Sequence, residues 1–361
     1  MRRLLPAVPA LLALVAAGPA VAGWSSTPMR SAADPPVIRA LTEVPFEGRL
    51  AVGVADAAAP TTPEEAIVLA KSLEGRLGGI AQIRSAPGLV VSGSGDADAV
   101  DRIGRTLAAM RARILRLLRV DGDGKTSQLV LLASSRDRFE LVDATLFGQA
   151  PLPSRTAVLG VAEGRLVVAA WRDPDAGSFL AATARALAAA AIVEDDLAGS
   201  GTAPAAASPP SEGEGTSEET AADAREAPES TTPPAPSGDE RPPAWFLEGL
   251  ASQLAAATAS PNALEPRQRE TGLRYLRGGG DPRRIFALPA DDPQWIALDG
   301  VAQSVAFLAV QRLAEDVPGN LDRLIDALRA GRSWPEAWRS SLGGTPAALA
   351  ERLVRHHAVN D

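Results

Sequence analysis

The chain has 361 residues, a formal net charge of −8, no cysteine, and only two histidines, His356 and His357. The acidic balance argues against a general nucleic-acid binder. The lack of cysteine excludes disulfides, thiolate metal sites and cysteine nucleophiles.

Residues 1–22 read as a secretory signal. Arg2 and Arg3 are followed by the apolar run 4–17, and Ala20-Val21-Ala22 supplies a small-x-small cleavage site. Pro6 and Pro9 interrupt that run, which favours cleavage over a membrane anchor. The mature chain is therefore expected to be exported, to the periplasm or beyond, with no span left after cleavage. Residues 23–44, rich in Ser, Pro and Ala, read as an extended arm.

An α/β portion is expected over 45–195. Leu50, Val52 and Val54 alternate as in a strand. Thr61, Thr62, Pro63, Glu64 and Glu65 form a helix start, with hydroxyl cap, proline and first-turn acids. A strand over 88–94 precedes a long helix that begins at Asp96 or Asp98 and runs to Leu118. Val100, Ile103, Leu107, Met110, Ile114 and Leu117 recur along it at helical spacing. A buried strand follows over 126–133. Ser134 and Ser135 then cap a short helix through Phe139 and Val142. A hairpin is expected over 156–171, and an alanine-rich helix over 178–193.

Residues 196–242 carry Pro, Ala, Ser, Thr, Glu and Gly with almost no large apolar side chains, the composition of a disordered insertion. From 243 onward the pattern is helical, with segments near 243–259, 264–277, 293–316, 319–330, 333–341 and 345–358. The expected class is thus α+β: a small α/β portion with a mixed sheet, then a mainly helical portion.

Several short motifs carry little weight. Asp121-Gly122-Asp123-Gly124 begins like a calcium loop but has Lys125 at its fifth position and Leu132 at its twelfth, so a turn is expected. Ser92-Gly93-Ser94-Gly95 lacks the third glycine and downstream acid of a dinucleotide fingerprint. The stretch 278–284 reads as a solvated loop. His356 and His357, adjacent on a helix, make no two-ligand face, and no nucleophile elbow or triad can be assembled.

One stretch stands out. Pro243-Ala244-Trp245-Phe246-Leu247-Glu248-Gly249-Leu250-Ala251 opens a helix in which Glu248 is the only charged residue between Trp245 and Ser260. A lone carboxylate in apolar surroundings needs a partner if it is buried. The stretch resembles the second ligand helix of the peptidase MA-like, gluzincin metallopeptidases, where the pattern Pro-x-Trp-x-x-Glu-Gly-Leu-Ala supplies a zinc-binding glutamate. Glu248 falls on that position. The segment 331–346 is similar to the family's tail.

The family's other helix carries His-Glu-x-x-His. Overlaid on it, this chain has Arg185, Ala186, Leu187, Ala188 and Ala189, so the resemblance implies a site without its imidazoles or its general base. Glu248, Arg185, Ala186 and Ala189 are the expected vestige of that site, with Arg185 as the partner of Glu248. Neither metal nor cofactor is expected. The resemblance also implies a groove, with Trp245 and Trp171 as candidate walls and the second strand of the 156–171 hairpin as its edge. The expected function is a catalytically inactive pseudopeptidase that binds a peptide or an envelope protein. The alternatives are a hydrolase rearranged around Glu248 and a structural envelope protein.

Overall fold

The computed structural model describes residues 61–77, 82–93, 96–120, 126–147, 156–171, 176–195, 197, 241–259, 265–289 and 298–358. The secretory signal, the arm, the 48–56 strand and the 121–125 turn lie outside these residues. So does the 196–242 insertion, apart from Leu197, Arg241 and Pro242.

Helix α1, Pro63–Arg76, starts as its sequence dictates. Thr62 Oγ1 accepts from the Glu65 N–H at 3.2 Å, and Glu65 Oε2 accepts from the Thr62 N–H at 2.8 Å. Strands β1, Gln82–Ala86, and β2, Leu89–Gly93, form a hairpin. Gly88, at φ +74°, turns between them. Helix α2, Ala97–Leu118, is capped by Asp96 and ends at Arg119, which takes the left-handed conformation with φ 59°. Strand β3, Gln128–Ala133, leads into helix α3, Arg136–Phe147, where Ser135 Oγ accepts from the Arg138 N–H.

Strands β4, Ala157–Ala162, and β5, Arg165–Trp171, are joined by Glu163 and Gly164, both at positive φ, the twist a two-residue hairpin favours. The five described strands form one sheet in the order β1-β2-β3-β5-β4. The β2–β3 and β3–β5 pairs are parallel, and the two outer pairs are antiparallel.

This order corrects one expectation. The second hairpin strand, β5, is interior, between β3 and β4, so it is not an edge; among the described strands β4 is. Parallel pairing to β3 leaves β5 buried on both faces, which its run Leu166-Val167-Val168-Ala169-Ala170 fits better than an edge. The Trp171 N–H donates to the Thr156 carbonyl at 2.7 Å, making that a hydrogen-bonded pair. By alternation, the N–H groups of Ala157, Leu159 and Val161 point to the outer side of β4.

The strands sort their side chains onto two faces. Val90, Leu129, Leu131, Val167 and Ala169 meet Leu69, Leu73, Phe139 and Val142 of α1 and α3. Val91, Val130, Leu132, Val168 and Ala170 face the second layer, formed by α2 and by helix α4, Ala176–Glu194. That core continues without a break into the helical portion: α5, Ala244–Thr258; α6, Glu265–Arg277; α7, Pro282–Phe286; α8, Asp299–Asp316; α9, Asn320–Arg329; α10, Trp334–Leu342; and α11, Pro346–Ala358. The mixed sheet and the mainly helical second portion match the α+β expectation. Strand β1 and helix α7 are additions to it.

Residues 301–311 of α8 are all buried, as expected for a helix surrounded by others. Two glycines let its neighbours close on it. A Cβ at Gly249 of α5 would stand 2.3 Å from the Ala306 carbonyl oxygen, and one at Gly272 of α6 would stand 2.7 Å from Leu308 Cδ1. Ion pairs join the two portions: Arg119 meets Asp322 at 2.7 Å, and Arg329 meets Asp195 at 2.6 Å while also donating to the Leu118 carbonyl. Within the first portion, Arg111 of α2 meets Glu194 of α4 at 2.6 Å.

Because backbone rather than a flexible tip blocks a side chain at position 249, Gly249→Ala should cost at least about 1–3 kcal/mol. Urea unfolding of the variant should show a lowered midpoint with an unchanged slope.

Candidate functional site

Helix α4 is built from alanine. Ala181, Ala182, Ala184, Ala186, Ala188, Ala189, Ala190 and Ala191 are each no more than 2% exposed. Small side chains permit close approach, and α4 and α5 lie directly against each other. Pro243 stands at the head of α5, and its carbonyl accepts from the Phe246 and Leu247 N–H groups.

Each of these helices carries a single charge within its apolar body: Arg185 in α4 and Glu248 in α5. Arg185 is 1% exposed and Glu248 is 3% exposed. Both hold polar interactions, so neither is an orphaned charge. Ala186 and Ala189, the other positions of the expected vestige, are buried beside Arg185 and supply no polar atom.

Two buried hydroxyls lie on the same two helices, and sequence reading passed over both. Thr183 donates to the Phe179 carbonyl at 2.7 Å. Ser252 follows Glu248 by one turn and is fully buried. Their signal was visible as hydroxyls inside otherwise aliphatic helices. Among the described residues no three of His, Cys, Asp and Glu converge as a metal-binding group.

Trp245 and Trp171 belong to different cores. Trp245 is 1% exposed and stacks on Phe286 at 4.3 Å, with Phe246, Trp334 and Trp338 around it. It is a core residue rather than a groove wall. Trp171 ends β5 on the opposite face, half-buried, with the Arg136 guanidinium 5.3 Å from its ring.

The histidines lie elsewhere, on α11, which packs on α6, α7 and α8. Their rings meet edge-on with centroids 4.8 Å apart, and Arg312 Nη1 approaches His356 Nδ1 at 3.3 Å. Burial first, and then the charges of His356, Arg269, Arg277 and Arg312, press the His357 pKa down to about 4.

No family model, curated protein or solved structure matches the chain. The fold and the two buried charges are therefore the footing for any functional reading.

Two predictions follow from this geometry. On the pairing that the resemblance implies, Glu248→Gln and Arg185→Met should each destabilise the protein by up to about 3–5 kcal/mol, since each leaves the other charge buried. The double variant should lose less than the sum of the two, a coupling that a double-mutant cycle in urea would measure. For His357, the folded protein takes up the proton near pH 4, whereas the unfolded chain does so near 6.5. Its contribution is therefore intact above pH 6.5 and is lost as pH falls toward 4. His357→Gln should flatten that acid-side loss by about 1 kcal/mol, discounted for partial exposure, in melts at pH 7 and pH 4.5.

Proposed function

We propose that the protein is an exported, peptidase MA-like chain that has lost catalysis and keeps a peptide- or protein-binding role. The observation that carries this reading is the juxtaposition of α4 and α5, each with one buried charge. On the overlay, these correspond to the two helices the family uses for zinc, with Arg185 at the position of a ligand imidazole. A guanidinium placed there supplies positive charge to Glu248 that a metal would otherwise supply. Export is supported by the charged start, apolar run and small-x-small site of residues 1–22.

Binding, in this reading, uses the sheet edge. The outward N–H groups of Leu159 and Val161 on β4 are suited to pair with an extended peptide, as in strand addition. β4 also lies against α4.

Purified protein should hold no stoichiometric zinc by metal analysis and should leave casein uncleaved. Chelator-sensitive proteolysis abolished by Glu248→Gln would overturn the reading in favour of a rearranged hydrolase. On a peptide array, wild type should retain a set of extended sequences. Val161→Pro, which removes one outward N–H without touching the β4–β5 ladder, should lose them with little change in melting temperature.

A further inference from the structure

Helix α2 packs on β1, β2, α4 and α5, with Val100, Leu107, Met110, Ile114 and Leu118 on its buried side. Its other side is a row of arginines. At about 100° per residue, Arg102, Arg105, Arg113 and Arg116 fall within an arc of about 80° opposite the buried residues. All four are exposed, and from first to last the row runs about 21 Å along the helix. Thr106, Ala109 and Ala112 lie between them, so no bulky side chain stands in front.

The row keeps its charge. The two acids of α2, Asp98 and Asp101, lie near its start, and Asp101 holds Arg105 at 2.7 Å. Among the described residues, Arg102, Arg113 and Arg116 make no ion pair. Arg116 Nε donates to the Ala112 carbonyl at 3.3 Å. Acids beside the far end are already held, Glu194 by Arg111 at 2.6 Å and Asp322 by Arg119 at 2.7 Å. Strand β1 adds one more cation. Arg84 stands opposite Val91, on the side of the sheet that α2 covers, and donates to the Ile83 carbonyl at 3.2 Å.

The composition of this face selects its partner. Among the described residues, the large apolar side chains left exposed are Val68, Leu141 and Val317, none of them on α2. A protein or peptide partner needs buried apolar or aromatic anchors at the centre of its contact, and this face offers none. Guanidinium forks match phosphate oxygens. A straight row of them meets a flat layer of phosphates along its whole length, whereas the phosphates of a duplex wind away from it.

We infer that the arginine face of α2 docks the protein on an anionic phospholipid surface. Among the described residues no helix is long and apolar enough to cross a membrane, so this contact is peripheral. Each arginine near the headgroups strengthens binding about fivefold. The net charge of −8 opposes approach only weakly, because charges farther off than about 8–10 Å are screened at physiological salt. Helix α2 covers β1 and β2, and the β4 edge lies at the other end of the sheet, about 19 Å across the strands. The lipid contact thus stands apart from the peptide reading of β4 and does not depend on it.

Co-sedimentation of the purified protein with vesicles tests this. Binding should be absent on phosphatidylcholine alone, rise with phosphatidylglycerol content and fall as sodium chloride is added. Arg113→Gln/Arg116→Gln should weaken it about 25-fold, and Arg102→Gln/Arg105→Gln somewhat less, because Asp101 already shares Arg105. These side chains are exposed, so both variants should melt as wild type does, and they probe opposite ends of the row independently. Arg113→Lys/Arg116→Lys, which keeps the charge, should still bind. The inference fails if phosphatidylglycerol vesicles do not bind, if phosphatidylcholine vesicles bind equally, or if both glutamine variants bind as wild type does. Tighter retention of duplex DNA than of these vesicles at the same salt would assign the face to nucleic acid and overturn the lipid reading.

Discussion

Burying one positive and one negative charge on two adjoining alanine-rich helices is the demanding step on which this fold rests. Each charge costs several kcal/mol to remove from water, and only a well-placed partner offsets that. Alanine contributes little apolar area, so α4 and α5 cannot recover the cost from their own contact. The compensation comes from what surrounds them. The sheet face lies under α4, and α8 lies against α5 through Gly249. The aromatic group of Trp245, Phe246, Phe286, Trp334 and Trp338 closes over the head of α5.

Helix α5 consequently holds three surfaces at once. It packs against α4, its glycine serves the contact with α8, and its leading aromatics serve α7 and α10. A short motif such as Trp-Phe-Leu-Glu-Gly-Leu-Ala is thus explained by packing as much as by chemistry. The glycine is required because backbone oxygen occupies the space a side chain would need. The tryptophan is required because it is the hub of the ring cluster. Packing alone therefore accounts for these residues of the motif.

Much of the architecture could be read from the residues. The capping box at Thr62 and Glu65, the apolar repeat of α2 and the continuous apolar run of β3 each follow local rules that tertiary packing did not override. Strand β1 escaped because Gln82-Ile83-Arg84-Ser85-Ala86 carries one large apolar residue and is only partly buried. Helix α7 escaped because glycines precede it, although Asp281 and Pro282 form a proper cap and first turn. Sheet order was the least legible level. Which hairpin strand lies inside depends on pairing with β3, forty residues back in the chain, and no local pattern encodes that. At the site, the isolation of Glu248 was visible in the sequence, while the role of Trp245 as a core residue emerged only from its neighbours on α7 and α10.

Strand β4 has a consequence for how the protein behaves in a crowded solution. Its residues Ala157-Val158-Leu159-Gly160-Val161-Ala162 contain no charge and no proline, the usual devices by which an outer strand discourages unwanted pairing. On the proposed reading, an edge that accepts a foreign peptide accepts a second copy of itself by the same hydrogen bonds. Self-association through β4 would then compete with a ligand as concentration rises, so recognition and aggregation hazard would be one property of the strand.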